Sequence, residues 1–171
     1  MQIFLVNERT VPLGSGQHAT LRTLMLQNHA EPFSSLREII QVHYQGWPDF
    51  GTPTEAKTIV NVISLVNDLT SSRKNSKFEE RNAPIVVHCS AGCGRTGTFC
   101  TVDGIIDYLS VHGGSGDEED DLVFRSVSMM REQRMSLVQT LRQYVLCYDC
   151  ILYYLVSEMG EEQLQVDSLA T

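Results

Sequence analysis

An unbroken apolar run, Pro84-Ile85-Val86-Val87-His88, leads straight into Cys89-Ser90-Ala91-Gly92-Cys93-Gly94-Arg95-Thr96-Gly97, and this junction limits the folds open to the chain. A short continuous apolar run fits a strand covered on both sides, the interior position of a sheet flanked by helices. The glycines then release the chain from the strand, and Thr96 to Val111 reads as a helix with Gly104 as an interior weak point. Strand, loop and helix in that order put the loop at the C-terminal end of the strand, where open α/β sheets bind their ligands.

Such a loop turns consecutive backbone N–H groups inward, and the helix N-terminus adds positive potential. Ser90, Ala91, Gly92, Cys93, Gly94 and Arg95 therefore form an anion cradle, with phosphate as its natural guest. The same field favours thiolate over thiol. Cysteines in such positions fall from about 8.5 to about 3.5–7.5, which makes Cys89 a nucleophile near neutral pH. Arg95, six residues on, can return across the loop and hold two phosphate oxygens through its fork. A single intracellular cysteine is more often an inert buried thiol. Against that, His-Cys-x-x-Gly-x-x-Arg followed by Ser or Thr arises by chance in a chain of this length with a probability on the order of 10⁻⁵.

The 171 residues, 42% of them apolar, suffice for one domain with a real core. A net charge of −8 argues against a surface built to neutralise nucleic acid or an anionic membrane. Much of that charge sits in Asp117, Glu118, Glu119, Asp120 and Asp121, a solvated segment, and the remainder is near neutral. No apolar window is long enough to span a bilayer, and Met1 to Thr10 lacks the pattern of a signal peptide. The five cysteines are an odd number without a disulfide framework, which fits a reducing, cytoplasmic setting.

Ile3 to Val6 and Leu21 to Leu26 read as strands separated by a loop holding Pro12, Gly14 and Gly16. Leu36 to Tyr44 puts Ile40, Val42 and Tyr44 on one face and Ile39 on the other. Gln45 to Pro53 breaks this strand. Thr54 can then cap a helix with Ile59, Val62, Ile63, Val66 and Leu69 on one side, ending near Thr70. The acidic run opens the next helix, whose inner face is Leu122, Val123, Val127 and Met130. A last helix, Gln139 to Ser157, carries Tyr144, Val145, Tyr148, Ile151, Leu152 and Leu155, and a frayed tail follows from Glu158.

At the cysteine loop and at two further places the chain resembles the Cys-dependent protein tyrosine phosphatases. Trp47-Pro48-Asp49-Phe50-Gly51 resembles the mobile acid loop of that family and stands in the family's order, upstream of the cysteine. Alone, Pro-Asp would be read as a turn. Gln139-Thr140-Leu141-Arg142-Gln143-Tyr144 resembles the segment whose glutamines position the water that hydrolyses the cysteinyl phosphate. The resemblance covers about Thr20 to Leu155 and implies a role for each matching residue. Cys89 is the nucleophile, Arg95 the phosphate fork, and Asp49 the acid and later the base. Gln139 holds the water, with Gln143 as a weaker candidate or a substrate contact. Thr96 assists departure of the thiolate, and His88 tunes its pKa. Arg131 and Arg134 brace the loops, and Trp47 and Gly51 serve as hinge or packing residues.

The expected fold is α/β, a twisted mixed sheet flanked by helices on both faces, protein tyrosine phosphatase-like, with an incomplete sheet. The presence of both outlying motifs favours the phosphotyrosine-specific, non-receptor branch. Nothing in residues 1–20 matches that branch's recognition loop. The expectation is accordingly an N-terminally shortened chain, with 1–158 the C-terminal portion of a catalytic domain, 159–171 a tail, and apolar surface left uncovered. The implied activity is hydrolysis of phosphotyrosine in proteins. The alternative is a catalytically impaired phosphotyrosine-binding or regulatory fragment. No metal or cofactor is required, and the histidines show no ligand spacing. Cys147-x-x-Cys150 lacks a second pair for zinc, and Cys93 raises a redox pairing with Cys89 beside the plainer reading of a packed loop residue.

Overall fold

A computed structural model of the chain describes residues 1–30, 36–74, 84–112 and 121–169, with side chains as far as Glu158. Asp117, Glu118, Glu119 and Asp120 lie outside the described residues. The chain divides into two compact units, Met1–Gly46 and Trp47–Thr171.

β-Branched and aromatic residues in alternation make the first unit an antiparallel sheet of β1 (Gln2–Gly14), β2 (Gln17–Gln27) and β3 (Arg37–Tyr44), in that order. Ala19, Leu21 and Thr23 stand opposite Tyr44, Val42 and Ile40 on one face, where Ala19 and Leu21 are buried. On the other face Arg22 bonds Gln41 at 3.0 Å and His43 at 3.1 Å and pairs with Glu8 across β1. The loop expected around Pro12, Gly14 and Gly16 contracts to a two-residue turn. Pro12 lies within β1 opposite His18 and is tolerated because β1 is an outer strand. Ser15 and Gly16 alone reverse the chain, both with left-handed φ (51° and 71°), as tight hairpins require. The outer end of β1 presents Ile3, Leu5 and Val6 to solvent.

The second unit is helical: α1 (Ala56–Lys74), α2 (Gly94–His112), α3 (Leu122–Gln133) and α4 (Leu141–Leu169). Its core is the meeting of Ile59, Val62 and Ile63 from α1, Val102, Ile105 and Ile106 from α2, and Leu146, Cys147 and Cys150 from α4. Val123 and Val127 form the buried face of α3, and Asp121 caps that helix by accepting the Phe124 N–H at 2.9 Å. Gly97 lets α2 approach the turn before α4. A Cβ there would come within 2.4 Å of the Val138 nitrogen.

The α/β class and the incomplete sheet stand, with two corrections. Among the described residues the sheet is antiparallel throughout and not mixed. Residues 84–88, expected as its interior strand, join no ladder, and Ile85 and Val86 are 50% and 81% exposed. An apolar run shows that a segment can be covered and paired, but its partner strand is set by the rest of the fold. Smaller shifts lie at the helix ends. α1 begins after Thr54, with the Glu55 carbonyl taking the Thr58 N–H at 3.2 Å, and runs past Thr70. α2 begins at Gly94, so Arg95 is already in its first turn. α4 continues to Leu169 where a frayed tail was expected.

Gly97→Ala should cost about 1–3 kcal/mol, because backbone and not a pliable side chain blocks the added methyl. Gly104→Ala, inside the same helix with open space around it, should stabilise by about 0.5–1 kcal/mol. Urea unfolding with an unchanged slope measures both.

Candidate active site

The loop leaving His88 turns into α2 within six residues, and its curvature depends on Gly92, whose φ is 68°. The Gly92 N–H then faces back and donates to Cys89 Sγ at 3.2 Å. Partial burial pushes the Cys89 thiol up. The hydroxyl and N–H of Thr96 and the N–H groups of Cys93 and Gly92 outweigh that and bring it down from 9.0 to about 7. The Thr96 hydroxyl is buried with no other partner among the described residues, so it is available to the thiolate. His88, at the entrance to the loop, is exposed.

Arg95 ties this loop to residues 47–51. Its guanidinium donates to the Trp47 carbonyl at 3.0 Å, to Ser90 Oγ at 2.9 Å and to the Asp49 carboxylate. Ser90 Oγ donates in turn to the same carboxylate at 2.8 and 3.0 Å. Asp49 therefore sits over the mouth of the cradle, half of its side chain exposed. Arg95 Nε remains buried without a partner among the described residues. Buried donors are normally paired, and a buried guanidinium N–H left unpaired in the first turn after the cysteine loop is a donor open to an anion. The acid loop is folded on itself: Trp47 is buried, its Nε1 donates to the Gly51 carbonyl at 3.0 Å, and Phe50 holds a left-handed φ of 57°.

The turn before α4 is pinned to the cradle from behind. The Cys93 carbonyl accepts both the Gly97 N–H at 2.8 Å and the Val138 N–H at 3.3 Å. Arg131 donates to the Leu137 and Val138 carbonyls at 2.9 and 2.7 Å, and Arg134 to the Ala91 carbonyl at 3.1 Å, so both arginines brace loops. Val138, 1% exposed, is held at φ 56°, a strained conformation for a β-branched residue, immediately before Gln139. Gln139 is exposed and lines a groove of about 420 Å³ with Phe124, Ser128, Arg131 and Tyr144. Gln143, grouped by sequence with substrate contacts, is instead 1% exposed. Its Oε1 accepts the N–H groups of Gln139 and Thr140 at 3.1 and 3.2 Å, and its Nε2 donates to the Gly51 carbonyl at 3.4 Å.

Cys89, Ser90, Gly92, Cys93, Arg95, Thr96 and Asp49 are thus brought together, Gln143 is drawn against Gly94, and Gln139 is exposed on the turn before α4. Sequence reasoning missed the carbonyls of Trp47, Gly51 and Cys93, which no side-chain pattern could reveal. Cys147 and Cys150 are buried free thiols, both pushed up to about 12 chiefly by that burial, and are inert packing. Among the described residues no helix is long and apolar enough to cross a membrane.

Residues 7–153 match the family model described as protein-tyrosine phosphatase. The chain is 38% identical over 136 residues to receptor-type tyrosine-protein phosphatase alpha of Mus musculus, covering 80% of this chain and 15% of that protein. It is 36% identical over 150 residues to tyrosine-protein phosphatase corkscrew of Drosophila melanogaster, covering 88% and 17%. It is 40% identical over 126 residues to tyrosine phosphatase H3 of Microplitis demolitor bracovirus, covering 74% and 37%. The matched part of the chain thus corresponds to well under half the length of each relative. With the match spanning all three motif regions and the cradle built as described, the chain belongs to the protein-tyrosine phosphatase family.

Proposed function

We propose that the chain hydrolyses phosphotyrosine in proteins through a cysteinyl-phosphate intermediate. The observation that carries this reading is the lowered thiol of Cys89 in a loop whose Arg95 keeps a buried, unpartnered Nε. Phosphate oxygens satisfy that donor and the inward amides of Ser90 to Arg95. Cys89 Sγ then attacks phosphorus, the S–P bond forms as the bond to the tyrosyl oxygen breaks, and Asp49 hands its proton to the leaving phenolate. When phosphate claims Arg95 and Ser90, the Asp49 carboxyl is released from them toward that oxygen. In the second step a water held by Gln139 attacks phosphorus, and its proton passes to Asp49. The S–P bond breaks as the Thr96 hydroxyl meets the departing thiolate. Phosphotyrosine-containing proteins are the substrates, and signal transduction in the cytoplasm is the setting. Its reducing conditions keep a thiolate of this kind unoxidised.

The purified chain should release phosphate from an aryl phosphate in the presence of a metal chelator, and Cys89→Ser should bring turnover to background. Asp49→Ala should slow turnover by about 10²–10⁴-fold while phosphopeptide binding is largely kept. Phosphopeptide binding without turnover by the unsubstituted chain would instead establish a non-catalytic binding module. The pH dependence is a separate test. A pKa lowered to about 7 means that Cys89 is protonated and slow below that pH and thiolate above it. Alkylation followed by peptide mapping should therefore rise through a midpoint near 7 at Cys89 while Cys147 and Cys150 stay unlabelled in the folded chain. A midpoint near 9 would remove the proposed activation.

A further inference from the structure

We propose that Gln143 is a positioning residue that latches the acid loop to the turn carrying Gln139, so that one buried amide sets the placement of both the proton donor and the hydrolytic water. The inference rests on the phosphatase reading above and assigns Gln143 neither substrate nor water.

Gln143 has a structural duty that must first be separated from this one. Thr140 and Gln143 form a capping box at the start of α4: the Thr140 hydroxyl accepts the Gln143 N–H at 3.2 Å, and Gln143 Oε1 accepts the Thr140 N–H at 3.2 Å. That box is complete without the two remaining contacts. Oε1 also accepts the Gln139 N–H at 3.1 Å, and Nε2 reaches the Gly51 carbonyl at 3.4 Å, 92 residues away in sequence. Gly51 closes the loop of Asp49, and its carbonyl is the acceptor of the Trp47 indole as well. The same amide lies against the cradle, since a Cβ at Gly94 would meet Oε1 at 2.7 Å and Nε2 at 2.9 Å. The acid loop, the phosphate loop and the glutamine turn therefore converge on one side chain that is 1% exposed. Burying an amide is costly unless its polar atoms are paired, and packing alone would be served by an apolar residue. With Oε1 on the turn and Nε2 on the acid loop, an open acid loop leaves a buried N–H unpaired, which ties the two segments together energetically.

Gln143→Glu separates the cap from the latch, because Thr-x-x-Glu is an equally good capping box whereas a carboxylate cannot donate to Gly51. Two readouts apply. Trp47 is the chain's single tryptophan and reports the acid loop without turnover. In Gln143→Glu the cap is kept, and acrylamide quenching of Trp47, read well below the urea midpoint and at a pH where the new carboxylate is ionised, should rise. The kcat/KM for an aryl phosphate with a poor leaving group, which needs the acid, should fall about tenfold, and that for an activated leaving group should hold. Gln143→Met, which also frees the Gln139 amide, should add a burst of phenol release as cysteinyl phosphate accumulates. Unchanged quenching in both variants, or equal losses for good and poor leaving groups, overturns the latch. If Gln143→Met does not fold, Gln143→Glu decides. If the unsubstituted chain turns over no aryl phosphate, the phosphatase reading fails, and the quenching comparison alone decides the latch.

Discussion

Every part of the site depends on the positive end of α2. The loop from Cys89 to Gly94 wraps the N-terminal end of that helix, and a helix end of this kind attracts whatever negative charge lies within reach. The Cys89 sulfur is one such charge, lowered by Thr96, Cys93 and Gly92 against the opposing effect of its own burial. The Asp49 carboxylate, held by Ser90 and Arg95, is another. In the proposed mechanism a phosphoryl group competes for the same donors. The geometry is rigid because the loop's last carbonyl, that of Cys93, is bonded both to Gly97 within α2 and to Val138 outside it. The close approach at Gly97 lets the second bond form.

What could be read from sequence follows from how local each feature is. The cradle was legible because strand signal, glycines, cysteine, arginine and helix all fall within a dozen consecutive residues, and their order alone dictates an anion site. Asp49 was legible only through family likeness, since 46 residues separate it from the Arg95 it meets. Gln143 was assigned outward. Its capping box is a sequence pattern, but the carbonyl of Gly51 is not, and only the packed structure turns the amide inward. In α4 the apolar spacing located a helix without saying which side is covered. Leu146, Cys147 and Cys150 are buried while Val145, Leu152 and Leu155 are exposed, because α4 is apolar on both sides and periodicity cannot choose between them. Residues 84–88 failed for the complementary reason. Their pattern states a need for partners, and pairing is decided by other strands.

Strain is distributed unequally between the two loops that serve the chemistry. Phe50 and Val138 have nearly the same left-handed φ, 57° and 56°, and each conformation costs on the order of 1–3 kcal/mol. Val138 is over-determined: it is 1% exposed, its N–H is bonded to Cys93, and its carbonyl to Arg131. Phe50 is 66% exposed, and the loop around it is held by the Trp47 indole, the Gly51 N–H to Pro48 at 3.3 Å, Arg95 and Gln143. Two of those four ties, from Arg95 and Gln143, are made by side chains outside the loop. The strained turn before Gln139 is thus locked into its shape by burial and backbone bonds, whereas the loop around Phe50 depends in part on two side chains from outside it. A segment with few buried contacts, exposed bonds and stored strain opens at low free-energy cost, and a turn with the opposite properties does not. In the mechanism proposed above, Asp49 therefore belongs to the more weakly held part of the site, and Gln139 to the part fixed by burial and backbone bonds.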